Sequence, residues 1–183
     1  MNRRSVIRCL LALPIVLTVG AARATARTRD DIARMREGWA EWLPSSFTPP
    51  DASQAFALTD KEWRQQLSTA AFGVLREEGT EYPYTSPLND EERDGVFVCA
   101  GCDLPLFSSA MKYDSRTGWP SFVTHIPSAL GTKRDFKLIW PRTEYHCARC
   151  GGHHGHLFDD GPPPTYERWC NNGVALRFLP SGQ

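Results

Sequence analysis

Two Cys-x-x-Cys pairs constrain the fold of this 183-residue chain more than any other feature of its sequence. They are Cys99/Cys102 and Cys147/Cys150. Four thiolates at this spacing can close a tetrahedral zinc site, which stabilises a fold and does no chemistry of its own. Because the pairs lie far apart in the chain, one shared ion would join distant segments of a single domain. We therefore predict a structural zinc ion held by all four cysteines.

Two other interpretations of these cysteines stay open on the sequence alone. In an exported protein the four thiols could form disulfides, and a lone Cys-x-x-Cys can be a thioredoxin-like redox pair. Two such pairs without a βαβ pattern fit the redox interpretation poorly. Gly101 and Gly151 lie in or beside the two turns, where a tight backbone is needed, and this favours metal-binding knuckles.

Residues 1–26 have the composition of an export signal. Arg3 and Arg4 precede an apolar run from Cys9 to Val19 that is too short to span a bilayer comfortably, and small residues follow it. The paired arginines also suit a twin-arginine signal, with the general secretory route as the alternative. We expect the signal to be cleaved, which predicts a periplasmic protein without stable membrane association. An uncleaved N-terminal anchor is the other interpretation.

Helical signals are confined to the chain before the first cysteine pair. Thr59 and Glu62 form a Ser/Thr-x-x-Glu capping box, in which the glutamate reaches back to the cap amide. Residues 27–57 are expected to form a short helix near Asp31–Trp42 and then a linker. A helix over about 60–67 should follow, and then a further turn or two over Ala70–Arg76 that Gly79 ends.

From Tyr82 onward the pattern changes to short apolar stretches separated by Pro and Gly. Val174, Leu176 and Phe178 alternate with other residues, which is the period of a half-buried strand. Several short strands without a long helical pattern predict a mainly β domain over residues 58–183, built from antiparallel strands. The other expected strands are Val96–Val98 and Phe136–Trp140.

The charge balance argues against a nucleic-acid partner. Lys+Arg and Asp+Glu both number 21, so the formal net charge is zero and no general field attracts a polyanion. A zinc-stapled module that binds peptides or nucleic acid without catalysis remains the alternative function. It would need a basic aromatic face, for which the sequence has no pattern.

Cys170 is the cysteine left over when the two pairs are assigned to zinc and Cys9 to the signal. A free cysteine is often a buried small hydrophobe, so its presence alone does not indicate reactivity. If Arg168 to Cys170 is extended, both side chains share a face, and the guanidinium would favour the thiolate. Asn172-Gly173 is a strong turn dipeptide, which predicts that the strand ends there.

The histidines close to this cysteine are candidates for proton transfer. His153 and His156 could form a second metal site, but no carboxylate pattern accompanies them, so a proton-donating role is favoured. His154 is expected to be structural or solvent-facing. His146 adjoins Cys147 and is expected on the surface or beside the metal.

Taken in order, the motifs resemble the methionine-R-sulfoxide reductase B family, whose domain is also called SelR. The resemblance covers about residues 59–180. It is carried by Val74-Leu75-Arg76, Gly79-Thr80-Glu81, the two Cys-x-x-Cys pairs, Lys112-Tyr113-Asp114-Ser115, Gly118-Trp119-Pro120-Ser121-Phe122, Arg142-Thr143-Glu144, His153-x-Gly155-His156-Leu157-Phe158, Asp160-Gly161-Pro162 and Arg168-Trp169-Cys170.

The resemblance implies a fold, a metal and a reaction. The family fold has two antiparallel sheets with short N-terminal helices, and many members hold zinc with four cysteines. The reaction is reduction of the R epimer of methionine sulfoxide, usually in a protein chain. The implied roles are Cys170 as nucleophile, His156 as proton donor assisted by His153, Trp119 as the holder of the substrate methyl group, Arg168 and Asp160 as orienting charges and Asn172 as a hydrogen-bonding residue.

The chain departs from the family pattern before Gly-Trp-Pro-Ser-Phe. Many members carry a resolving cysteine there, and this chain has Thr117. We therefore expect a one-cysteine cycle in a monomer, reset by an external thioredoxin-like or glutathione-type thiol. Asn171 replaces the usual apolar residue after the nucleophile. Peroxide or thiol sensing through Cys170, which would need no Trp119 pocket, is a further alternative.

Overall fold

The computed structural model describes residues 27–136 and 141–182. The predicted export signal, residues 1–26, and positions 137–140 of the expected strand Phe136–Trp140 lie outside the described residues. Within the described part of the chain, no helix combines the length and the apolar character that crossing a membrane requires.

Three short helices open the described chain, and a side chain caps each of them. α1 covers Arg29–Glu37, α2 covers Asp60–Gln66 and α3 covers Thr69–Leu75. The capping box predicted from Thr59 and Glu62 is confirmed: the Thr59 amide donates to the Glu62 carboxylate at 2.8 Å, and the Glu62 amide donates to Oγ1 of Thr59. These bonds pair amides that the helix itself leaves free.

The helix predicted near Asp31–Trp42 is two elements. α1 ends at Glu37, where the amide of Gly38 donates to the carbonyl of Arg34 at 2.8 Å. A separate 3₁₀ turn covers Trp39–Trp42. The expected single helix is therefore wrong in its second half, because glycine and a bulky aromatic favour a break over continued α-helix.

The end of α3 also differs from expectation. The helix stops at Leu75, and the amide of Gly79 then donates to the carbonyl of Gly73 at 2.9 Å. Glu78 takes a φ of 54°, so a left-handed residue closes this turn. Gly79 completes the turn because a Cβ there would lie 2.8 Å from the Gly73 carbonyl oxygen, but it does not itself end the helix.

Nine short strands form two antiparallel sheets in the described chain, which confirms the predicted fold class. One sheet has the order β2-β1-β9 and the other has the order β3-β4-β8-β7-β6-β5. The strands are β1 Gly95–Cys99, β2 Pro105–Ser108, β3 Lys112–Tyr113, β4 Ser121–Phe122, β5 Leu130–Asp135, β6 Arg142–Cys147, β7 His153–Phe158, β8 Arg168–Asn171 and β9 Leu176–Pro180.

Aromatic side chains fill the space between the two sheets. The rings of Phe107 on β2 and Phe122 on β4 stack with centroids 3.9 Å apart, and Phe97 on β1 meets Phe122 edge-on at 5.1 Å. All three side chains are fully buried. Burial of this apolar area is the main force that holds one sheet on the other.

The predicted strand Val174–Phe178 begins later than expected. A 3₁₀ turn covers Gly173–Ala175, and β9 starts at Leu176. The carboxylate of Glu81 accepts hydrogen bonds from the amides of Gly173 and Val174 at 2.5 and 3.0 Å. These amides are therefore paired outside the sheet, and the chain turns before it can join β1.

The stretch predicted as a helix and linker, residues 27–57, packs on the core. The amide of Phe56 donates to the carbonyl of Arg149 at 2.9 Å, and its ring meets Trp63 of α2 edge-on at 5.6 Å. Trp39 and Trp42 also pack against buried side chains. These large aromatic side chains bury apolar surface against the domain, so the predicted linker packs on it.

Candidate active site

The four paired cysteines converge into one buried cluster. Their sulfur atoms all lie within 4.8 Å of one another, with Cys99 and Cys150 at 3.7 Å and Cys102 and Cys147 at 3.5 Å. A disulfide needs sulfurs about 2.05 Å apart, so the disulfide interpretation is wrong here. Tetrahedral zinc with bonds of about 2.3 Å separates its sulfurs by roughly 3.8 Å, which these distances fit. The four residues are a metal site.

Each pair of cysteines sits on a tight knuckle with the same backbone. The amide of Asp103 donates to the carbonyl of Cys99, and the amide of Gly151 donates to the carbonyl of Cys147, both at 2.9 Å. Asp103 and Gly151 have φ values of 61° and 68°. Gly101 lies in the first knuckle, as predicted, but it does not take the left-handed position. The left-handed residue is Asp103, whose type tolerates that conformation.

His154 connects the metal site to the six-stranded sheet. It is fully buried, with Nε2 3.4 Å from the sulfur of Cys99 and Nδ1 3.2 Å from Oδ1 of Asn171. Tyr145 donates to the same Asn171 oxygen at 2.9 Å. Burial lowers the pKa of His154 to about 3, so the ring is neutral. Of the two predicted possibilities, His154 is structural and does not face solvent.

One cross-strand row carries most of the candidate chemistry. Cys170 on β8 lies directly opposite Ser121 on β4 and His156 on β7, and His156 lies opposite Glu144 on β6. Glu144 in turn faces Lys133 on β5. Directly opposed residues in antiparallel strands share a face, with Cβ atoms about 4.5–5.5 Å apart. The nucleophile and the imidazole predicted for it are therefore immediate neighbours.

A β-bulge brings His153 to the same face as His156. Residues three apart on a regular strand point to opposite faces. The register of β6 and β7 shifts between Tyr145 and His146, which inserts one extra residue on β7. As a result the rings of His153 and His156 lie 5.5 Å apart, and His154 turns to the core. Nδ1 of His153 lies 3.0 Å from the buried carboxylate of Glu144.

Cys170 is a protonated thiol in this environment. Burial raises its pKa above the ordinary thiol value, and this outweighs the charge of Arg168 and the hydrogen bonds from Thr117, Arg168 and Ser121, which lower it. The predicted extended geometry, with Arg168 and Cys170 on one face, is confirmed by β8. The guanidinium favours the thiolate, as predicted, because it lowers the pKa of Cys170, but desolvation of the anion raises that pKa by more.

Arg168 is held in place by Asp160. Nε and Nη2 of Arg168 donate to the two carboxylate oxygens of Asp160 at 2.7 and 2.9 Å. The guanidinium also lies 4.1 Å from the centre of the Phe158 ring. A forked ion pair stacked on an aromatic ring fixes the position of the positive charge beside the sulfur.

His156 is a neutral imidazole in hydrogen-bond contact with Asp135, a residue that lies in none of the sequence motifs. Its Nε2 lies 2.8 Å from Oδ2 of Asp135, which also accepts from Nη2 of Arg142 at 2.7 Å. Burial lowers the pKa of His156, and this outweighs the hydrogen bond to Asp135, which raises it. A resting imidazolium acid, the simplest form of the predicted proton donor, is therefore disfavoured.

A small cleft joins these groups to the predicted substrate residue. Trp119, His156, Phe158, Cys170 and Asn172 line a cleft of about 110 Å³. Clefts for whole small-molecule ligands are typically about 300–1,000 Å³, so this one suits the end of a single side chain. The other predicted residues, His153, Arg168 and Asp160, do not line it.

Glu81 organises this cleft from outside it. Its carbonyl accepts from Nε1 of Trp119 at 3.2 Å, and its amide donates to Oδ1 of Asn172 at 3.0 Å. Asn172 also donates through Nδ2 to the carbonyl of His154 at 2.8 Å. The predicted hydrogen-bonding role of Asn172 is thus to hold backbone around the cleft. The sequence places Glu81 in a motif but does not predict this role, because the partners of its carboxylate lie in a distant turn.

Comparison with known proteins agrees with this geometry. The model of the SelR domain family matches residues 67–180. The chain belongs to the SelR family. The resemblance stated from its motifs is therefore confirmed, and the SelR match contains the metal site and the whole cross-strand row.

Three curated relatives of this SelR domain carry the printed name peptide methionine sulfoxide reductase MsrB. The protein from Leifsonia xyli subsp. xyli is 46% identical over 129 residues, which is 69% of this chain and 93% of that protein. The protein from Agrobacterium fabrum is 44% identical over 74% of this chain and 98% of its own. The protein from Pseudomonas entomophila is 49% identical over 69% of this chain and 98% of its own.

Zinc removal is expected to unfold the domain. Structural zinc contributes on the order of 10 kcal/mol of apparent folding free energy, comparable to the whole stability of a domain. The purified protein should contain one zinc per chain by elemental analysis, and a strong chelator should abolish its cooperative thermal transition in circular dichroism. Cys99→Ser should do the same, and Cys170→Ser should keep both zinc and transition. A chelated protein that melts unchanged would contradict this assignment.

Alkylation of Cys170 is expected to rise steeply with pH. Only the thiolate reacts, and the pKa of this thiol lies above its ordinary value, so the rate should climb about tenfold per pH unit through pH 8 without reaching a plateau. Iodoacetamide labelling, followed by peptide mass spectrometry on the zinc-loaded protein, measures this rate.

Arg168→Gln should slow labelling several-fold at a fixed pH, because it removes the charge that favours the thiolate. Arg177→Gln, an exposed arginine of β9 paired with Asp103, is the matched control and should not change the rate. A labelling rate that is already constant between pH 6 and pH 8 would contradict the protonated thiol.

Proposed function

We propose that this protein reduces the R epimer of methionine sulfoxide in polypeptides to methionine. The observation that carries the proposal is the cleft in which Cys170 and His156 face each other across β8 and β7 beside Trp119. Membership of the SelR family and the printed name of its relatives support the same reaction. The four-cysteine metal site holds the scaffold and takes no part in the chemistry.

The proposed reduction transfers one oxygen atom from substrate to enzyme. The sulfur of Cys170 attacks the sulfoxide sulfur while the sulfoxide oxygen is protonated. The thioether leaves as methionine, and Cys170 becomes a sulfenic acid that carries the oxygen. Arg168 stabilises the sulfur as its charge develops, and Asp160 keeps that guanidinium in place. Because the thiol starts protonated, its own proton balances the step.

Trp119 is proposed to select the substrate group. Its indole is fixed by the carbonyl of Glu81 and forms a flat apolar wall of the cleft. The methyl group of a methionine sulfoxide would lie on this wall, and the oxygen would then face the polar side that His156 provides. The two sulfoxide epimers exchange the directions of oxygen and methyl group, so a single pocket accommodates one epimer well.

The deciding experiment is an epimer assay. The purified zinc-loaded protein is incubated with dithiothreitol and with the separated R and S sulfoxides of a methionine-containing peptide, and methionine is measured by liquid chromatography. We expect consumption of the R epimer alone and no turnover by Cys170→Ser. Asp94→Asn, at an exposed position before β1, serves as the active control. Turnover of the S epimer, or turnover by Cys170→Ser, would overturn the proposal.

The catalytic cycle is proposed to use one cysteine of the chain and an external thiol. The side chain at the position of the usual resolving cysteine is Thr117, whose hydroxyl hydrogen-bonds to Cys170 and cannot form a disulfide. A thioredoxin-like or glutathione-type thiol would attack the sulfenic acid and release water. A second thiol would then free Cys170 from the mixed disulfide.

A single-turnover reaction without reductant tests this cycle. Intact mass spectrometry should find one added oxygen per chain, trapped by dimedone at Cys170, and no internal disulfide. In the Thr117→Cys variant the same reaction should instead join the introduced thiol to Cys170, which shows that the assay detects an internal disulfide when one forms. A Cys170 disulfide in the unaltered protein would contradict the one-cysteine cycle.

Export to the periplasm is proposed from the composition of residues 1–26. N-terminal sequencing of the protein from a periplasmic fraction should begin after a small residue near Ala24 or Ala26. Full-length protein that is retained in the cytoplasm would contradict export.

A further inference from the structure

We propose that Asp135 is a positioning residue of the reduction step, whose carboxylate holds Nε2–H of His156 and so turns the unprotonated Nδ1 toward Cys170. The proposal rests on the proposed function and adds a residue that no motif argument identified. It makes His156 the carrier of the thiol proton rather than an acid that is already charged.

The position of Asp135 follows from the sheet. It is the last residue of β5 and pairs with Arg142, two residues along from the pair Lys133 and Glu144 and therefore on the same face of the sheet. Only 6% of Asp135 is exposed. The side chain of His156 reaches across β6 to meet it, with 2.8 Å between Nε2 and Oδ2. A buried carboxylate at this distance is a strong orienting partner for an imidazole.

The chemistry of the two groups selects one tautomer. An ionised carboxylate can only accept hydrogen bonds, so the nitrogen that faces it must carry the proton. Arg142 donates to the same oxygen of Asp135 at 2.7 Å and keeps the carboxylate charged. A neutral His156 is therefore protonated at Nε2, and Nδ1 has a free lone pair.

The shape of the ring indicates which of its nitrogens can serve the sulfur. Nδ1 is the nitrogen closer to the backbone, whereas Nε2 is at the distal end that reaches Asp135. Since His156 and Cys170 are directly opposed, their Cβ atoms lie about 4.5–5.5 Å apart, and both residues line the same cleft. Nδ1 is thus the nitrogen available to the thiol and to a bound sulfoxide.

The thiol then supplies the proton that the sulfoxide oxygen needs, and no outside acid is required. Nδ1 takes the proton of the Cys170 thiol as the sulfur attacks, and the resulting imidazolium is stabilised by the Asp135 carboxylate. The same proton passes from Nδ1 to the sulfoxide oxygen as the oxygen moves to sulfur. Thiol and sulfoxide become sulfenic acid and thioether, and His156 returns to its neutral form.

Asp135→Asn is the deciding variant, because the amide keeps the size of the side chain and removes the charge that dictates the tautomer. We expect kcat with the R sulfoxide to fall by about 100-fold or more with little change in KM, the range that a positioned proton carrier contributes. Asp94→Asn makes the same change at an exposed site just before β1 of the other sheet and should leave kcat unaltered. Zinc content and thermal transition check that both variants fold.

The second readout is the tautomer itself. Long-range proton–nitrogen NMR of the zinc-loaded protein, assigned with His156→Asn, should find His156 protonated at Nε2, and Asp135→Asn should shift it toward Nδ1–H. A merely structural ion pair with Arg142 would leave the tautomer unchanged. Unchanged kcat in Asp135→Asn, or an Nδ1–H tautomer in the unaltered protein, would overturn the proposal. An unaltered protein without R-sulfoxide reductase activity would overturn the proposed function, and the tautomer would then decide the Asp135 contact on its own.

Discussion

The register of β7 is the constraint on which the candidate site depends. Antiparallel pairing sets Cys170 opposite His156 and His156 opposite Glu144, so three side chains from three strands meet without any loop having to deliver them. A shift of one residue would send each to the other face of the sheet. The chemistry of this protein is therefore a property of strand pairing, which is rigid, rather than of a flexible loop.

The metal site and the sheet support each other through a buried polar chain. His154 contacts the sulfur of Cys99 on one side and Asn171 on the other, and Asn171 is the residue after the nucleophile. Tyr145 completes the chain from β6. Asn171, which departs from the usual apolar residue of the family, thus has a specific role here: its side-chain oxygen Oδ1 accepts from the buried hydroxyl of Tyr145, which would be costly to leave unpaired.

Much of this structure could be predicted from short-range patterns. The spacing of Cys99/Cys102 and Cys147/Cys150 predicts one metal site, and the alternation from Arg168 to Cys170 predicts their shared face. The Thr59 capping box predicts the start of α2. Each of these signals is local, because the residues involved are close in the chain or repeat the same motif.

Features that depend on distant contacts could not be predicted in this way. Asp135 approaches His156 only because β6 lies between their strands, and the pKa of Cys170 depends on burial that no dipeptide reveals. The left-handed position of the first knuckle carries no glycine to mark it, because aspartate also tolerates this backbone, as Asp103 does. Sequence spacing alone also places His153 and His156 on opposite faces, since a bulge has no reliable signature.

That bulge has a consequence for how such sequences can vary. It decides which of two adjacent imidazoles, His153 or His154, enters the core and which lies beside Glu144 on the face of His156, and it follows directly after the Cys150 knuckle. Deleting or adding a single residue between Cys150 and His156 would change which of the two rings faces the core, even where both histidines are kept. We therefore expect chains of this kind to tolerate substitutions in that short stretch far better than changes in its length.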